Sequence, residues 1–323
     1  MQTSEKMIRI LANDGIHPDG QLLLEEANYE VDTNKIPQED LMEKLQDYDA
    51  IIVRSATKVR KELIDACPRL KMIARAGVGL DNIDVDYARE KGIKVINTPK
   101  ASSLAVAELV LGQIFSLSRY LYQANRSMPE TGNSEFKQLK KRYAKGLQVS
   151  GRKLGIIGFG RIGQELARLA MGIGMEVLAT DLEERKVKVY IQPPAVENAS
   201  LAVELQTVPM ERLLEESDFI SIHVPSGKDL ITAKEMGRMK KGACIINTSR
   251  GGVISEKDLL EALDSGQLAG AALDVFDNEP TPSAAILQHP LISATPHIGA
   301  STLEAQRYIG LEIADAFIDF FGE

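Results

Sequence analysis

Cysteine is scarce in this sequence. The chain has 323 residues and two cysteines, Cys67 and Cys244, and neither stands in a CxxC motif or beside a histidine. This spacing argues against a disulfide scaffold and against a metal cluster, so we predict no metal site. Cys244 lies inside an apolar run and is expected to be a small core residue. Unpaired cysteines favour a reducing cytoplasm as the location of the protein.

Long apolar runs and an excess of positive charge are also missing. No stretch of 18 apolar residues occurs, and the N-terminal MQTSEKMIRIL lacks the apolar core and cleavage site of a signal peptide. We therefore expect neither a membrane span nor export. The formal net charge is −8, which argues against nucleic-acid binding because phosphate backbones need clustered Lys and Arg. Small molecules are the predicted partners.

Short β-branched runs alternate with longer amphipathic ones along the chain. MIRILA, AIIVRS, KMIARAG and KVINTP are typical of strands, with helical patterns such as DGQLLLEEA between them. A charged interval without a strand follows Lys137, and the alternation resumes with KLGIIGFG, MEVLATD, FISIHV, GACIINTS, AGAALDVF and LISATPH. Such alternation indicates parallel sheets covered on both faces. We predict an α/β protein with two doubly wound parallel-sheet domains.

A glycine-rich turn opens the second α/β unit. Gly158, Gly160 and Gly163 form a GxGxxG motif between a strand and a helical pattern. These glycines allow a tight turn, close approach of a pyrophosphate and close helix packing, and the first N–H groups of the helix bind the phosphates. Asp181 ends the next strand and is suited to the ribose hydroxyls of NAD. The motif predicts NAD, with NADP less favoured, although Arg185, Lys186 and Lys188 follow Asp181 and a basic residue in that loop could tolerate a 2′-phosphate.

Three polar residues follow strand-like runs in the same unit. Arg250 comes after GACIINTS, Glu279 after GAALDVFDN, and His297 after LISATP. The carboxyl ends of parallel strands are where α/β sheets bind ligands. An imidazole can take the hydroxyl proton of a 2-hydroxy acid, a carboxylate can orient it, and a guanidinium can bind the substrate carboxylate and polarise the C2 oxygen. Each residue alone is commonly structural; together, beside a dinucleotide, they predict a hydride-transfer site.

Seven motifs, in this order, resemble those of the D-isomer-specific 2-hydroxyacid dehydrogenase family. They are IIVRSATKV (51–59), RAGVGLDNID (75–84), INTP (96–99), LGIIGFGRIG (154–163), SRGGVI (249–254), GAALDVFDNEP (270–280) and PHIGAST (296–302). The resemblance implies two Rossmann-like or flavodoxin-like domains with the active site in the cleft between them. It also implies a discontinuous substrate domain, residues 1–96 and 297–323, around an NAD-binding domain of residues 97–296.

The same resemblance implies roles for individual residues. The catalytic residues would be Arg250, Glu279 and His297. The cofactor contacts would be Val78, Gly158, Gly160, Arg161, Ile162, Gly163, Asp181, His223, Val224, Pro225, Thr248, Ser249, Asp274, Gly299 and Ala300. The substrate contacts would be Arg54, Ser55, Arg75, Gly77, Val78, Gly79 and Asn82. Arg54 and Arg75 follow strands and supply the cations that a phosphorylated substrate needs, unless they are surface arginines paired with acids.

Three functions are compatible with these features. The first is NAD-dependent oxidation of D-3-phosphoglycerate to 3-phosphohydroxypyruvate, the first step of the phosphorylated serine biosynthesis pathway, with His297 as general base. The second is a glyoxylate/hydroxypyruvate or D-lactate-type reductase, which differs in whether Arg54 and Arg75 recognise a phosphate. The third is an NAD(H)-sensing binding protein resembling the corepressors built on this fold.

Three segments bear on assembly and regulation. The interval 182–209 is longer than the family pattern, and the segment around His223-Val224-Pro225-Ser226 is shorter. Because the sequence ends at Glu323, no serine-binding regulatory module is expected. The arm from Arg119 to Lys145 combines aromatic and aliphatic residues with the basic run FKQLKKRY. We expect this arm to pack on a second copy of the chain in a homodimer or homotetramer.

Overall fold

The chain folds as two units in the computed structural model, which describes residues 7–192 and 200–322. The first unit consists of Met1–Ser103 and Ala300–Glu323, and the second consists of Leu104–Gly299. Both boundaries lie later in the chain than those predicted after residues 96 and 296. The first boundary is set by a helix, Ser103–Ser118, whose apolar residues are buried in the core of the second unit.

The first stretch of the chain alternates strands and helices as its sequence indicates. Its strands are β1 Arg9–Ala12, β2 Glu30–Asp32, β3 Ala50–Val53, β4 Met72–Arg75 and β5 Lys94–Asn97. Its α-helices are α1 Pro18–Glu26, α2 Leu41–Lys44, α3 Lys61–Ala66 and α4 Val85–Glu90. Short 3₁₀ turns, Gln38–Asp40 and Leu45–Asp47, flank α2. The sequence did not predict β2, which is three residues long and partly exposed.

The rest of the chain carries more elements of the same kinds. The helices are α5 Ser103–Ser118, α6 Leu121–Arg142, α7 Arg161–Gly172, α8 Met210–Glu216, α9 Ala233–Arg238, α10 Glu256–Asp264, α11 Ala284–Gln288 and α12 Leu303–Phe321. The strands are β6 Lys153–Ile157, β7 Glu176–Thr180, β8 Lys186–Ile191, β9 Leu201–Gln206, β10 Phe219–Ile222, β11 Ala243–Asn247, β12 Leu268–Leu273 and β13 Ile292–Ala294.

The first unit is built on a five-stranded parallel sheet in the order β2-β1-β3-β4-β5. This is the strand order of flavodoxin-like folds. Side chains alternate between two buried layers: Leu11, Ile51 and Ile73 belong to one, while Ile10 and Ile52 belong to the other with apolar residues of α12. Burial on both faces explains why these strands are continuous apolar runs.

The second unit is built on a six-stranded parallel sheet in the order β13-β12-β11-β10-β6-β7. The strand order reverses beside β6, which places a topological switch point at the end of that strand. Cys244 is buried among the side chains that pack with α5 and α7, as predicted for a core cysteine. Burial raises the pKa of the Cys244 thiol to about 12, so the thiol stays protonated at neutral pH. The doubly wound fold predicted from the sequence is confirmed.

A β-hairpin that the sequence interpretation missed lies in the long interval 182–209. Strands β8 and β9 pair antiparallel, from Lys186↔Gln206 to Ile191↔Leu201, and residues 193–199 between them lie outside the described residues. Val189 faces the core of the second unit, while Lys188 and Tyr190 are exposed. The alternating pattern of KVKVYI and LAVELQ is the period-two signal of such strands and could have predicted them.

Helix α6 forms most of the arm from Arg119 to Lys145, which follows α5 and precedes β6. The charged interval after Lys137 continues as helix to Arg142. In the described part of the chain, no single helix is long and apolar enough to cross a membrane, although α5 and α6 taken together across a 59° bend meet the length and composition.

Candidate active site

The glycine motif forms the turn between β6 and α7. Gly158 has φ +90°, and a Cβ there would lie 2.5 Å from the backbone oxygen of His223. A Cβ on Gly163 would lie 2.5 Å from the backbone oxygen of Gly158, so the helix packs closely on the turn. A Cβ on Gly160 would meet nothing within 4 Å. The first and third glycines are therefore required by packing, and the middle one faces open space.

Asp181 lies just after β7 and is already bonded to a cation. Arg185 Nη2 lies 2.5 Å from Asp181 Oδ2 and 2.9 Å from the backbone oxygen of Phe159 in the glycine turn. The base of the β8–β9 hairpin fixes this arginine, since its amide donates to Thr207 Oγ1 at 2.7 Å and its carbonyl accepts from the Thr207 amide at 3.0 Å. The carboxylate predicted to bind a ribose thus has a guanidinium beside it.

His223 directly follows β10 at the switch point. Its amide donates to the Ile157 carbonyl at 2.7 Å, and its Nε2 lies 2.9 Å from Ser221 Oγ. The Nδ1 atom is buried, and no hydrogen-bond partner for it exists among the described residues. Burial lowers the pKa of His223 to about 3, so the ring is neutral at physiological pH.

Asn247 shapes the turn that carries Arg250. At the end of β11, its Oδ1 accepts from the Ser249 amide at 3.0 Å and from Ser249 Oγ at 2.7 Å. Its Nδ2 donates to the Arg250 carbonyl at 2.9 Å, and Arg250 Nη1 donates to the Ser249 carbonyl at 2.7 Å. The sequence interpretation did not assign a role to Asn247, because a polar amide at the end of a buried apolar strand does not by itself indicate one.

Glu279 and His297 are brought into direct contact. His297 Nδ1 lies 2.8 Å from Glu279 Oε2, while Glu279 Oε1 accepts from the Phe276 amide at 3.0 Å. His297 has φ +54°, a left-handed conformation that is uncommon outside glycine. About half of its side chain is exposed. The contact fixes one ring nitrogen and leaves Nε2 facing away from the carboxylate.

Asp274 holds the segment on either side of His297. Its buried carboxylate accepts from Thr295 Oγ1 at 2.6 Å, from the Ile298 amide at 2.9 Å and from the Gly299 amide at 2.8 Å. The sequence indicated Asp274 only as a cofactor contact and gave no role to Thr295. In the structure Asp274 therefore braces the loop that presents the imidazole.

The predicted cofactor residues gather at one edge of the second sheet. Those that follow its parallel strands are Gly158, Gly160, Arg161, Ile162, Gly163, Asp181, His223, Val224, Pro225, Thr248, Ser249, Asp274 and Gly299. The other two, Val78 and Ala300, belong to the first unit.

A family model described as "D-isomer specific 2-hydroxyacid dehydrogenase, NAD binding domain" matches residues 111–299. The chain belongs to this family. The resemblance drawn from the seven motifs is confirmed, and the matched segment lies wholly within the second unit of this dehydrogenase.

Relatives of this dehydrogenase carry different names. A hydroxypyruvate reductase from Thermotoga maritima is 42% identical over 322 residues, which cover 97% of this chain and 98% of that protein. A D-3-phosphoglycerate dehydrogenase from Methanocaldococcus jannaschii is 41% identical over 312 residues, 96% of this chain but 56% of that protein. The structure of an NAD⁺-bound 3-phosphoglycerate dehydrogenase from Entamoeba histolytica aligns with a TM-score of 0.76 and 28% identity over 98% of this chain and 96% of that one. The chain thus spans just over half of the archaeal phosphoglycerate dehydrogenase.

The second unit of this dehydrogenase fits the NAD that its family binds. The open space beside Gly160 would allow a pyrophosphate to approach the backbone. His223 Nδ1 and Thr248 Oγ1 are buried polar atoms that have no hydrogen-bond partner among the described residues. Such atoms, on loops that follow β10 and β11, are suited to a polar ligand beside the glycine turn.

The predicted substrate residues of the dehydrogenase lie on loops of the first unit. Arg54 follows β3 and is exposed, and Ser55 lies next to it. Arg75 ends β4, and a Cβ on Gly77, whose φ is +140°, would overlap its guanidinium group. Gly77 is therefore required for the position of Arg75.

Further along the same loop, two predicted contacts have backbone roles in the structure. The Val78 carbonyl accepts from Asn97 Nδ2 at 2.6 Å. Asn82 Nδ2 donates to the carbonyls of Arg54 and Thr57 at 2.8 and 2.6 Å. Asn82 therefore braces the turn after β3, a role that the sequence did not indicate, while Gly79 lies partly exposed beside Val78.

Proposed function

We propose that this dehydrogenase oxidises D-3-phosphoglycerate to 3-phosphohydroxypyruvate. The observation that supports this substrate is a pair of guanidinium groups on neighbouring strands. Arg54 directly follows β3, Arg75 ends β4, and Val53 and Arg75 are register partners in that parallel pair. A phosphorylated substrate carries an anionic group that two such cations bind.

His297 carries the proton transfer in this proposal. With Nδ1 bonded to Glu279, Nε2 accepts the proton of the C2 hydroxyl while C2 loses a hydride. NAD, when bound, takes up that hydride. Glu279 stabilises the imidazolium that forms, and the half-exposed ring releases the proton to solvent.

Arg250 binds the substrate carboxylate and stabilises negative charge on the C2 oxygen. A guanidinium is planar and donates two parallel hydrogen bonds, which suits a carboxylate. The Asn247 side chain and the Ser249 carbonyl hold the turn and the guanidinium in place. Because the guanidinium is held in place before the reaction, it stabilises the charge of the transition state more than it stabilises the bound alcohol.

A hydroxypyruvate reductase is the second candidate. The observation that favours it is the relative from Thermotoga maritima, which matches this chain along 98% of its own length. Such an enzyme would use the same three residues, Arg250, Glu279 and His297, but would not need Arg54 and Arg75 for a phosphate. The two candidates therefore differ in whether Arg54 and Arg75 of the first unit recognise a phosphate.

A role in serine biosynthesis, a cytoplasmic location and self-association complete the proposal. The two cysteines are buried and unpaired, which supports a reducing compartment. Helix α6 exposes Leu121, Met128 and Phe136 in the single chain, which supports packing on a second copy. Sedimentation as a monomer at working concentration would contradict the self-association.

Steady-state reduction of two substrates tests the proposed function. NADH consumption is measured with 3-phosphohydroxypyruvate and with hydroxypyruvate, for the wild type, Arg54→Ala and Arg89→Ala. Arg89 is an exposed arginine on α4 and serves as the matched control. We expect Arg54→Ala to raise KM for the phosphorylated substrate at least about tenfold, because a charge-assisted contact is lost. The KM of Arg54→Ala for hydroxypyruvate should stay within about twofold of the wild-type value. Both KM values of the control, Arg89→Ala, should do the same.

The alternative outcome is equally specific. If hydroxypyruvate is the better substrate of the wild type and Arg54→Ala changes neither KM, the phosphate assignment fails and the reductase candidate replaces it. The dehydrogenase chemistry assigned to Arg250, Glu279 and His297 does not depend on that result.

A further inference from the structure

The Arg54–Thr57 turn, which follows β3, is held on one side by the buried carboxylate of Asp14. Asp14 Oδ2 accepts from the amide of Arg54 at 2.7 Å and from the amide of Thr57 at 3.0 Å, and Oδ1 accepts from Thr57 Oγ1 at 2.9 Å. The Asp14 side chain is only 5% exposed. Lys35 Nζ lies 3.9 Å from Oδ1 and partly offsets the charge. Asp14 therefore fixes both ends of the Arg54–Thr57 turn.

The opposite side of the turn is held by Asn82, which donates to the carbonyls of Arg54 and Thr57. Within residues 7–192 and 200–322, the amides of Ser55 and Ala56 donate to no acceptor, and both residues are exposed. The clamped turn thus presents two adjacent N–H groups to solvent beside the Arg54 side chain. Adjacent backbone N–H groups in a turn form an anion-binding concavity.

We propose that Asp14 is a positioning residue for the substrate: it holds the turn so that the Ser55 and Ala56 amides bind the anionic group that Arg54 attracts. The inference rests on the proposed function, since it assigns the substrate's acidic group to this turn. It adds a residue outside the seven motifs that acts only through the backbone of the turn.

A carboxylate is required at this position because all of its neighbours are donors. Thr57 Oγ1 accepts from Asn13 Nδ2 at 2.8 Å, so its own hydrogen is directed to Asp14. An amide side chain has one acceptor oxygen, and its NH₂ group would face either an N–H or the Thr57 O–H. Asp14→Asn must therefore leave at least one donor of the turn without an acceptor.

Kinetics of Asp14→Asn test the proposal, with Asp86→Asn as the control because the Asp86 side chain, in the same unit, is 97% exposed and lies 4.0 Å from an exposed arginine, Arg89. We expect KM for 3-phosphohydroxypyruvate to rise about tenfold in Asp14→Asn, with kcat and the Kd for NADH within about twofold of wild type. In an Arg54→Ala background the same change should raise KM far less, because the two residues serve one contact. Thr57→Val should resemble Asp14→Asn, and Thr57→Ser should restore the wild-type KM.

Three results would overturn the inference. The first is a KM for Asp14→Asn equal to that of Asp86→Asn in a folded protein. The second is an effect of Asp14→Asn that is fully retained in the Arg54→Ala background, which would mean a general structural role. If Asp14→Asn does not fold, equal KM values for Thr57→Val and Thr57→Ser would overturn it. If Arg54→Ala is active and its KM for 3-phosphohydroxypyruvate is unchanged, the phosphorylated substrate is rejected instead. The KM values of Asp14→Asn and Asp86→Asn are then compared with the substrate that reacts.

Discussion

The carboxylate of Asp274 holds the loop that carries His297. Three donors from Thr295, Ile298 and Gly299 converge on its buried carboxylate. Buried charge is tolerated only when it is fully hydrogen-bonded, and here those bonds all come from the loop of the imidazole. The left-handed backbone of His297 costs free energy, and the braced loop supplies the structure that maintains it.

Asp274→Asn should therefore impair turnover more than cofactor binding. An amide cannot accept from both backbone N–H groups and the hydroxyl, so one donor near His297 loses its acceptor. We expect kcat to fall about 10- to 100-fold, with the Kd for NADH within about twofold of wild type. Stopped-flow turnover and fluorescence titration with NADH measure the two quantities.

Two variants of Thr295 separate this role from a direct cofactor contact. Thr295→Ser keeps the hydroxyl and should retain kcat, while Thr295→Val should lower it in the same direction as Asp274→Asn. A weaker Kd for NADH with an unchanged kcat in Asp274→Asn would show that the aspartate serves the cofactor alone.

Residue types and motif positions predicted Arg250, Glu279 and His297 as candidates, and the structure brings Glu279 and His297 into contact. The residues that hold the candidates in place were not predictable in the same way. Asp14 bonds a turn 40 residues away, and Asn247 looks like any polar end of a strand. Such roles depend on which backbone groups meet in space, and the spacing of residue types does not record that.

At the scale of elements, the β8–β9 hairpin places a cation beside Asp181, the residue predicted to bind the ribose. Arg185 and Thr207 flank its two strands and bond to each other, and this contact keeps the guanidinium of Arg185 against Asp181. Asp181 alone would repel a 2′-phosphate. A guanidinium at 2.5 Å from Oδ2 offsets that repulsion and is itself a phosphate ligand.

Arg185→Ala should therefore increase discrimination between the two dinucleotides. We expect the Kd for NADPH to rise at least about tenfold, because the variant loses the only counter-charge described beside Asp181. The Kd for NADH should change less than about fivefold, since the pair is partly exposed. Lys188→Ala, on the exposed face of the same hairpin, is the control. Equal weakening of both dinucleotides would mean that Arg185 supports the site without selecting the cofactor.

Elements with strong periodicity were predictable, and short or exposed ones were not. Helix α7 and the buried strands follow from apolar runs between glycine turns. Strand β2 has three residues and little burial, so its local pattern carries no clear signal. The hairpin had the alternating pattern, but the interval 182–209 was noted only for being longer than the family pattern, and no strands were predicted in it.

For the whole molecule, strand and helix alternation predicted two α/β units but not which ends of the chain share a unit. The return of residues 300–323 to the first unit is a long-range contact, made where α12 packs against α1 and the first sheet. Gly20 and Gly310 allow that approach, because a Cβ on Gly20 would overlap the backbone of Gly310. Only the family resemblance indicated this arrangement in advance.

The mechanism proposed for this D-2-hydroxyacid dehydrogenase has His297, oriented by Glu279, move the proton. Its most direct test is kcat for His297→Gln with whichever 2-oxo acid the wild type reduces faster, together with the Kd for NADH. His289→Gln is the matched control, because His289 also contacts a carboxylate, Asp264, at 3.3 Å in the same unit. We predict that kcat falls about 10²- to 10⁴-fold in His297→Gln while the Kd for NADH and the control remain near wild type. A His297→Gln enzyme with a kcat within about threefold of wild type would contradict the account, since proton transfer would then not depend on this imidazole.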